Sequence, residues 1–198
     1  MKPLYLSAAP SLLTLNEVNW LEAFPYRPDV SLTASHDGRE LHLHFRVAEK
    51  AVRAVCAADR EHAWEDSCVE FFFAPREDGM YYNLECTCTG KIYLCCGPDR
   101  HDRAFLPQEA YDAVRRSASL GEEPFGLLDK PAEWEVRLDI PASVFGLVSF
   151  NGLHARGNFY KCGDGLPERH FVSWAPIGTS KPDFHRPEFF GEIVFEEV

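Results

Sequence analysis

Along much of this chain apolar and polar positions alternate with a period of two. In Glu40 to Val47, Leu41, Leu43, Phe45 and Val47 alternate with Glu40, His42, His44 and Arg46. That period places successive side chains on opposite faces of a strand, and it predicts a half-buried antiparallel strand. The same pattern sets Trp134, Val136, Leu138 and Ile140 against Glu133, Glu135, Arg137 and Asp139, and Val30, Leu32 and Ala34 against Ser31, Thr33 and Ser35. Further strands are predicted at Cys68 to Ala74, Tyr81 to Cys88, Lys91 to Cys95, Leu153 to Tyr160, His170 to Trp174 and Glu192 to Glu196. Turn pairs such as Asp37-Gly38, Asp78-Gly79 and Thr89-Gly90 separate them. Helical pattern is confined to a turn at Pro141 to Phe145 and a segment at Pro107 to Val114. Gly97 to Phe125 loses the alternation and reads as a long surface excursion. The expectation is an all-β fold, a jelly-roll-like antiparallel sandwich with few short helical turns, built as one domain over residues 1–198.

Composition agrees with this and narrows the partners. Phe 15, Tyr 7 and Trp 4 make the chain rich in residues that suit pleated surfaces. A formal net charge of -11 argues against nucleic acid and anionic membrane surfaces, which need concentrated Lys and Arg. No apolar run reaches the roughly 20 residues of a membrane helix, and the N-terminus shows no secretory pattern, so a cytoplasmic location is the expectation. Seven cysteines are an odd set, read as reduced thiols, with Cys86 and Cys88 as small core residues on one strand face.

Two segments combine aromatic and polar residues where a sandwich presents them: Trp64-Glu65-Asp66-Ser67-Cys68-Val69-Glu70-Phe71 and His170-Phe171-Val172-Ser173-Trp174. Both resemble family 9 carbohydrate-binding modules, sandwiches of the DOMON type. In that family a tryptophan just before a Val-Glu-aromatic strand and a second in a late Ser-Trp pair form the walls of a slot for a sugar ring. Trp64 and Trp174 match those positions, and Glu70 matches a sugar contact. The family's basic residue on the following strand falls near Glu85, a change of sign. The Asn158 to Asp164 run and Phe184-His185-Arg186-Pro187-Glu188 resemble an uncharacterised subgroup of family 9-like proteins.

The resemblance implies a non-catalytic sugar binder supporting oligosaccharide or polysaccharide catabolism, with a separate glycoside hydrolase as an optional partner. A pyranose has an apolar face and a hydroxyl rim, so a site needs flat aromatic walls and convergent polar groups. Alternation sets Val69, Phe71 and Phe73 on one face and Glu70 on the other. It also gathers Tyr81, Asn83, Glu85 and Thr87 on one polar face, and His154, Arg156, Asn158 and Tyr160 on another. The expected ligand-binding set is Trp64, Trp174, Glu70, Asn83, Glu85 and Asn158, with no catalytic residue. The alternative is a glycoside hydrolase using Glu70 and Glu85 as paired carboxylates. A purely structural or protein-binding sandwich is the third reading.

No cofactor is expected. Neither a Cys-x-x-Cys pair nor a His-Glu-x-x-His motif provides zinc spacing, Met1 and Met80 are the only methionines for haem ligation, and no Gly-x-Ser-x-Gly elbow is present. The resemblance allows a structural calcium ion near Asp66, Asp164 or Asp183 and assigns none.

Overall fold

In the computed structural model, which describes residues 1–198, the alternating segments become strands. The first eight are β1 (Leu4–Leu6), β2 (Ser11–Thr14), β3 (Asp29–His36), β4 (Glu40–Glu49), β5 (Val52–Ala54), β6 (Cys68–Ala74), β7 (Tyr81–Thr87) and β8 (Ile92–Gly97). After β9 (Ala104–Phe105) come the helix α1 (Gln108–Ala113), β10 (Arg115–Ala118) and β11 (Gly126–Leu128). The chain ends through β12 (Ala132–Pro141), β13 (His154–Cys162), β14 (Phe171–Ser173) and β15 (Gly191–Phe195). The turn at Pro141 is a short 3-10 helix over Ala142–Phe145.

Two sheets carry the fold. One is eight-stranded, in the order β1-β15-β13-β6-β7-β8-β9 with β14 added to β13, and the other is five-stranded, β10-β12-β4-β3-β2. A small two-stranded sheet joins β5 to β11. All pairings are antiparallel except β1 with β15. The register aligns the apolar rows: Trp134, Val136, Leu138 and Ile140 lie opposite Val47, Phe45, Leu43 and Leu41. The β3–β4 hairpin turns at Gly38, whose φ of 84° suits a residue without a side chain, while the Asp37 carboxylate accepts from the Arg39 and Glu40 N–H groups.

Between the two large sheets lies an apolar layer of 35 buried residues, including Phe45, Phe71, Phe73, Phe159 and Trp134. Phe71 and Phe159 stack at 4.8 Å and 14°. Cys86 and Cys88 belong to this layer, as alternation predicts. Lys161 and Glu49 bring charge into its end. Lys161 follows Phe159 in the inward phase of β13, Glu49 follows Val47 on β4, and Nζ and Oε2 pair at 2.9 Å with both side chains fully buried. The Lys161 ammonium also donates to Cys162 O at 2.7 Å and His170 Nε2 at 2.8 Å, and Trp134 Nε1 donates to Glu49 Oε1 at 2.6 Å.

The Gly97 to Phe125 expectation needs correction. Besides α1, which falls within the helical segment expected at Pro107 to Val114, this segment supplies β9 and the edge strand β10, and it buries Tyr111 and Val114 in the inter-sheet layer. Tyr111 Oη donates to Leu94 O at 2.8 Å, so a short helix without a long apolar stripe is fixed by one anchor.

Candidate functional site

The outer face of the eight-stranded sheet is buried too, beneath the chain on either side of Trp20 and the long loop from Trp174 to Phe190. Eleven buried apolar residues, among them Trp20, Phe72, Tyr81, Tyr160, Phe171 and Phe184, form a second cluster there. The polar residues expected on a wet sheet face instead hold those segments down. Asn158 donates to Ala175 O at 3.0 Å and accepts from Ala175 N–H at 2.8 Å. Tyr160 donates to Phe184 O at 3.2 Å and stacks on the Phe184 ring at 4.1 Å, while Trp20 Nε1 donates to Thr179 O at 2.8 Å.

Where this covering layer opens, a cavity of about 500 Å³ remains, a size usual for a small-molecule site. Its lining includes Trp64, Glu70 and Glu85 of the expected set. Trp64 sits on the 3-10 turn Ala63–Glu65, just before β6. Its own carbonyl and that of Glu65 accept from Asp164 N–H at 3.0 Å and Gly165 N–H at 2.9 Å. Gly165 permits this approach, since a Cβ there would lie 2.6 Å from Glu65 O. Asp66 anchors the other side of the turn: it is fully buried and accepts from Arg53 Nη1 at 2.6 Å and from the Val55 and Cys56 N–H groups at 2.8 Å each. His62 stacks on the Trp64 indole at 4.4 Å and Tyr93 meets it edge-on at 5.4 Å.

Glu70 and Glu85 face each other directly across the β6–β7 ladder, both buried. Burial pushes the Glu70 carboxyl up to about 7, against the hydrogen bond it accepts from Cys162 Sγ at 2.9 Å. Glu85 is pushed well above the usual range by burial and then by the neighbouring Glu70 charge. Asn83 donates to Glu85 Oε1 at 3.0 Å, and Arg103 Nη1 lies 3.8 Å from the same oxygen. Arg103 also donates to His185 Nε2 at 3.3 Å; guanidinium only donates, so His185 carries its proton on Nδ1, which faces the Tyr81 hydroxyl at 2.8 Å. Burial and the Arg103 charge hold that imidazole down at about 2.

The remaining expected residues lie elsewhere. Asn83 supports Glu85 from beneath, and Asn158 is committed to Ala175. Trp174 does not stand opposite Trp64: its ring packs on Phe159 at 5.8 Å, at the margin of the inter-sheet layer, whereas Trp64 packs on the outer cluster. Gly191 makes room for it, because a Cβ there would lie 2.6 Å from the indole. The cavity instead gains Phe24, Phe171 and Arg169, whose guanidinium lies 5.7 Å from both phenyl rings. Arg100, paired with Asp183 at 3.0 Å, comes from the segment read as a surface excursion. Sequence reasoning missed these residues because they converge from three separate segments, before β3, after β8 and at the start of β14. The one signal was the pair of runs containing Cys162 and Asp164, and Phe184 and His185, which reach the cavity.

Among proteins with curated descriptions none matches the chain. The family model for carbohydrate-binding family 9 matches residues 4–195. A proposed carbohydrate-binding protein from Bacteroides uniformis is 39% identical and superposes with a TM-score of 0.93, over 98% of this chain and 100% of that one. Two structures of a family 9 carbohydrate-binding module from Caldicellulosiruptor kristjanssonii, one with cellotriose and one with glucose, share the fold at 13% identity. Their TM-scores are 0.62 and 0.61, over 100% of this chain and 95% and 97% of theirs. With nearly its whole length matched by the family model, the chain belongs to carbohydrate-binding family 9.

Proposed function

We propose that the cavity binds a sugar without transforming it. The observation that carries this reading is one half-buried indole, Trp64, at a cavity whose floor presents Glu70 and Glu85 and whose rim brings Arg100 and Arg103. An indole offers the flat apolar surface that a pyranose face requires, and carboxylates and guanidinium groups together satisfy the acceptors and donors of neighbouring hydroxyls. In this reading His62 takes one face of Trp64 and the sugar the other, with Phe24, Phe171 and Arg169 as the opposite wall in place of Trp174. Asn83 and Asn158 act indirectly, one by orienting Glu85 and the other by holding the covering loop.

Burial of one sugar face contributes on the order of 1 to 2 kcal/mol and a few hydrogen bonds about 1 kcal/mol each, which places affinity between roughly millimolar and micromolar. Such binding suits a role in oligosaccharide or polysaccharide catabolism, where a separate hydrolase supplies the chemistry. The family supports binding over hydrolysis, and so does the register. Glu70 and Glu85 stand side by side on one floor, whereas a glycosidase places its two carboxyl groups on either side of the scissile bond.

Calorimetric titration with glucose, cello-oligosaccharides and a panel of other mono- and oligosaccharides tests this. Wild type and Trp174→Ala should bind, and Trp64→Ala should lose at least tenfold. Absence of binding to every sugar at millimolar concentration overturns the reading, as does turnover of an aryl glycoside that Glu70→Gln abolishes.

A further inference from the structure

We propose that Cys68, Cys162 and Glu70 form a binding site for one thiophilic divalent cation of the zinc class, at the floor of the cavity. The residues are far apart in sequence, and strand register assembles them. Cys68 and Glu70 are two positions apart on the outward face of β6, and Cys162 of β13 lies directly opposite Cys68. Both sulfurs and a carboxylate oxygen lie within 4.8 Å of one another, and all three residues are buried. Tetrahedral coordination at about 2.3 Å for sulfur and 2.1 Å for oxygen sets donor separations of roughly 3.6 Å. The Cys162 Sγ to Glu70 Oε1 distance of 2.9 Å opens to that value by a small side-chain rotation.

A second observation points to a ligand at the cavity floor. Glu85, opposite Glu70 on β7, is 2% exposed and lines the same cavity, yet its Oε2 has no hydrogen-bond partner. Native proteins rarely leave a buried carboxylate oxygen unpartnered, and an ion beside it is one of the few explanations. Beneath it, Asn83 Oδ1 is also without a partner. The donor chemistry selects the ion: two thiolates disfavour calcium and magnesium, which take oxygen ligands, and favour zinc and its neighbours. Glu70 and Cys162 both line the cavity, so three protein ligands leave a fourth position open toward it, as in metal sites that bind a small ligand. Glu85, opposite Glu70 on the ladder, lines the same cavity and offers a hydrogen-bond partner to a ligand held there. The site shares Glu70 and the cavity floor with the proposed sugar contacts, but its test needs metal alone and no sugar, so the two readings can fail separately.

The test uses the full reduced chain and metal alone. Titration of metal-free protein with Co(II) should give one equivalent with a thiolate charge-transfer band and tetrahedral visible bands, and Zn(II) should displace it. Cys162→Ser and Cys68→Ser should each weaken binding by at least tenfold. Cys86→Ser, which changes a thiol of the inter-sheet layer, should leave it unchanged. Because a buried serine can itself disturb folding, X-ray absorption of the zinc-loaded wild type provides an independent readout, with two sulfur scatterers expected. Absence of binding, a first shell without sulfur, or equal loss in Cys86→Ser overturns the proposal.

Discussion

The two faces of the eight-stranded sheet are made by the same strands and stabilised in different ways. On β6, Val69, Phe71 and Phe73 enter the inter-sheet layer, while Cys68, Glu70 and Phe72 enter the outer one. The inward layer closes by apolar contact between two sheets and depends little on any single partner. The outward layer buries carboxylates, an amide and thiols beneath irregular chain, and every such group needs a partner or costs stability. One face therefore holds the fold and the other holds the candidate site.

Neighbouring phenylalanines give the sharpest break between the two. Phe71→Ala removes a ring stacked between Phe73 at 5.1 Å and Phe159 at 4.8 Å, and should cost about 3 to 5 kcal/mol with little change in the sugar affinity of the folded protein. Phe72→Ala, one residue on, removes the ring that meets Tyr160 at 5.0 Å and His185 at 4.7 Å. It should cost less in stability, since the covering loop can collapse onto the gap, and more in affinity. Urea unfolding and calorimetry on both variants decide this. Equal losses of affinity would show that the two layers are not separable.

Lys161 tests the one place where the inward layer behaves like the outward one. Lys161→Met leaves the Glu49 carboxylate buried without its ion partner and should cost about 3 to 5 kcal/mol. Adding Glu49→Gln, which keeps an acceptor for Trp134 Nε1, should recover a large part of that loss. A double variant as unstable as the single one would mean that the methylene stem of Lys161, not its charge, is what the layer needs.

Sequence legibility divides along the same line. The inter-sheet layer was readable because the period of two is a local signal: Leu41 to Val47 and Trp134 to Ile140 predict both strands, their faces and their place in the core. Glu70 and Glu85 were correctly placed on one outward face for the same reason. The burial of that face was not readable, because it depends on a loop of more than a dozen residues returning over the sheet with no periodicity of its own. Trp174 shows the limit. Its motif matches a sugar-binding tryptophan, but its backbone N–H bonds to Phe159 O and its ring follows that strand to the inter-sheet side. Tyr111 shows the converse: the helical segment expected at Pro107 to Val114 forms, but its place between the sheets is fixed by a buried hydroxyl on Leu94 that no periodicity announces.

Asn158 carries a smaller effect that connects the layers. Both of its hydrogen bonds to Ala175 fasten the start of the covering loop to β13. Asn158→Ala should cost about 1 to 3 kcal/mol, since it leaves the Ala175 N–H unpaired while Ser173 Oγ still donates to Ala175 O, and should speed hydrogen exchange in residues 175–186 ahead of the sheet. Unchanged exchange there would mean that Trp20 and Tyr160 hold the loop without it.

The smallest effect is one of pH, and its sign follows from His170. The imidazole is fully buried, accepts from Lys161 and donates from Nδ1 to Glu168 O at 2.9 Å; burial, then the Lys161 charge, lowers its folded value to about 2. Unfolded, a histidine titrates near 6.5, so on acidification the unfolded chain takes up a proton that the folded one refuses. Stability should fall as pH drops from 6.5, by about 1 kcal/mol at 5.5 from this residue alone. His170→Gln keeps a donor and an acceptor but does not titrate, so its unfolding midpoint should depend less steeply on pH across that interval. An identical slope in wild type and variant would place the acid sensitivity in the other histidines whose folded values burial lowers, His185 in the outer layer and His36 against Phe150 and Phe195.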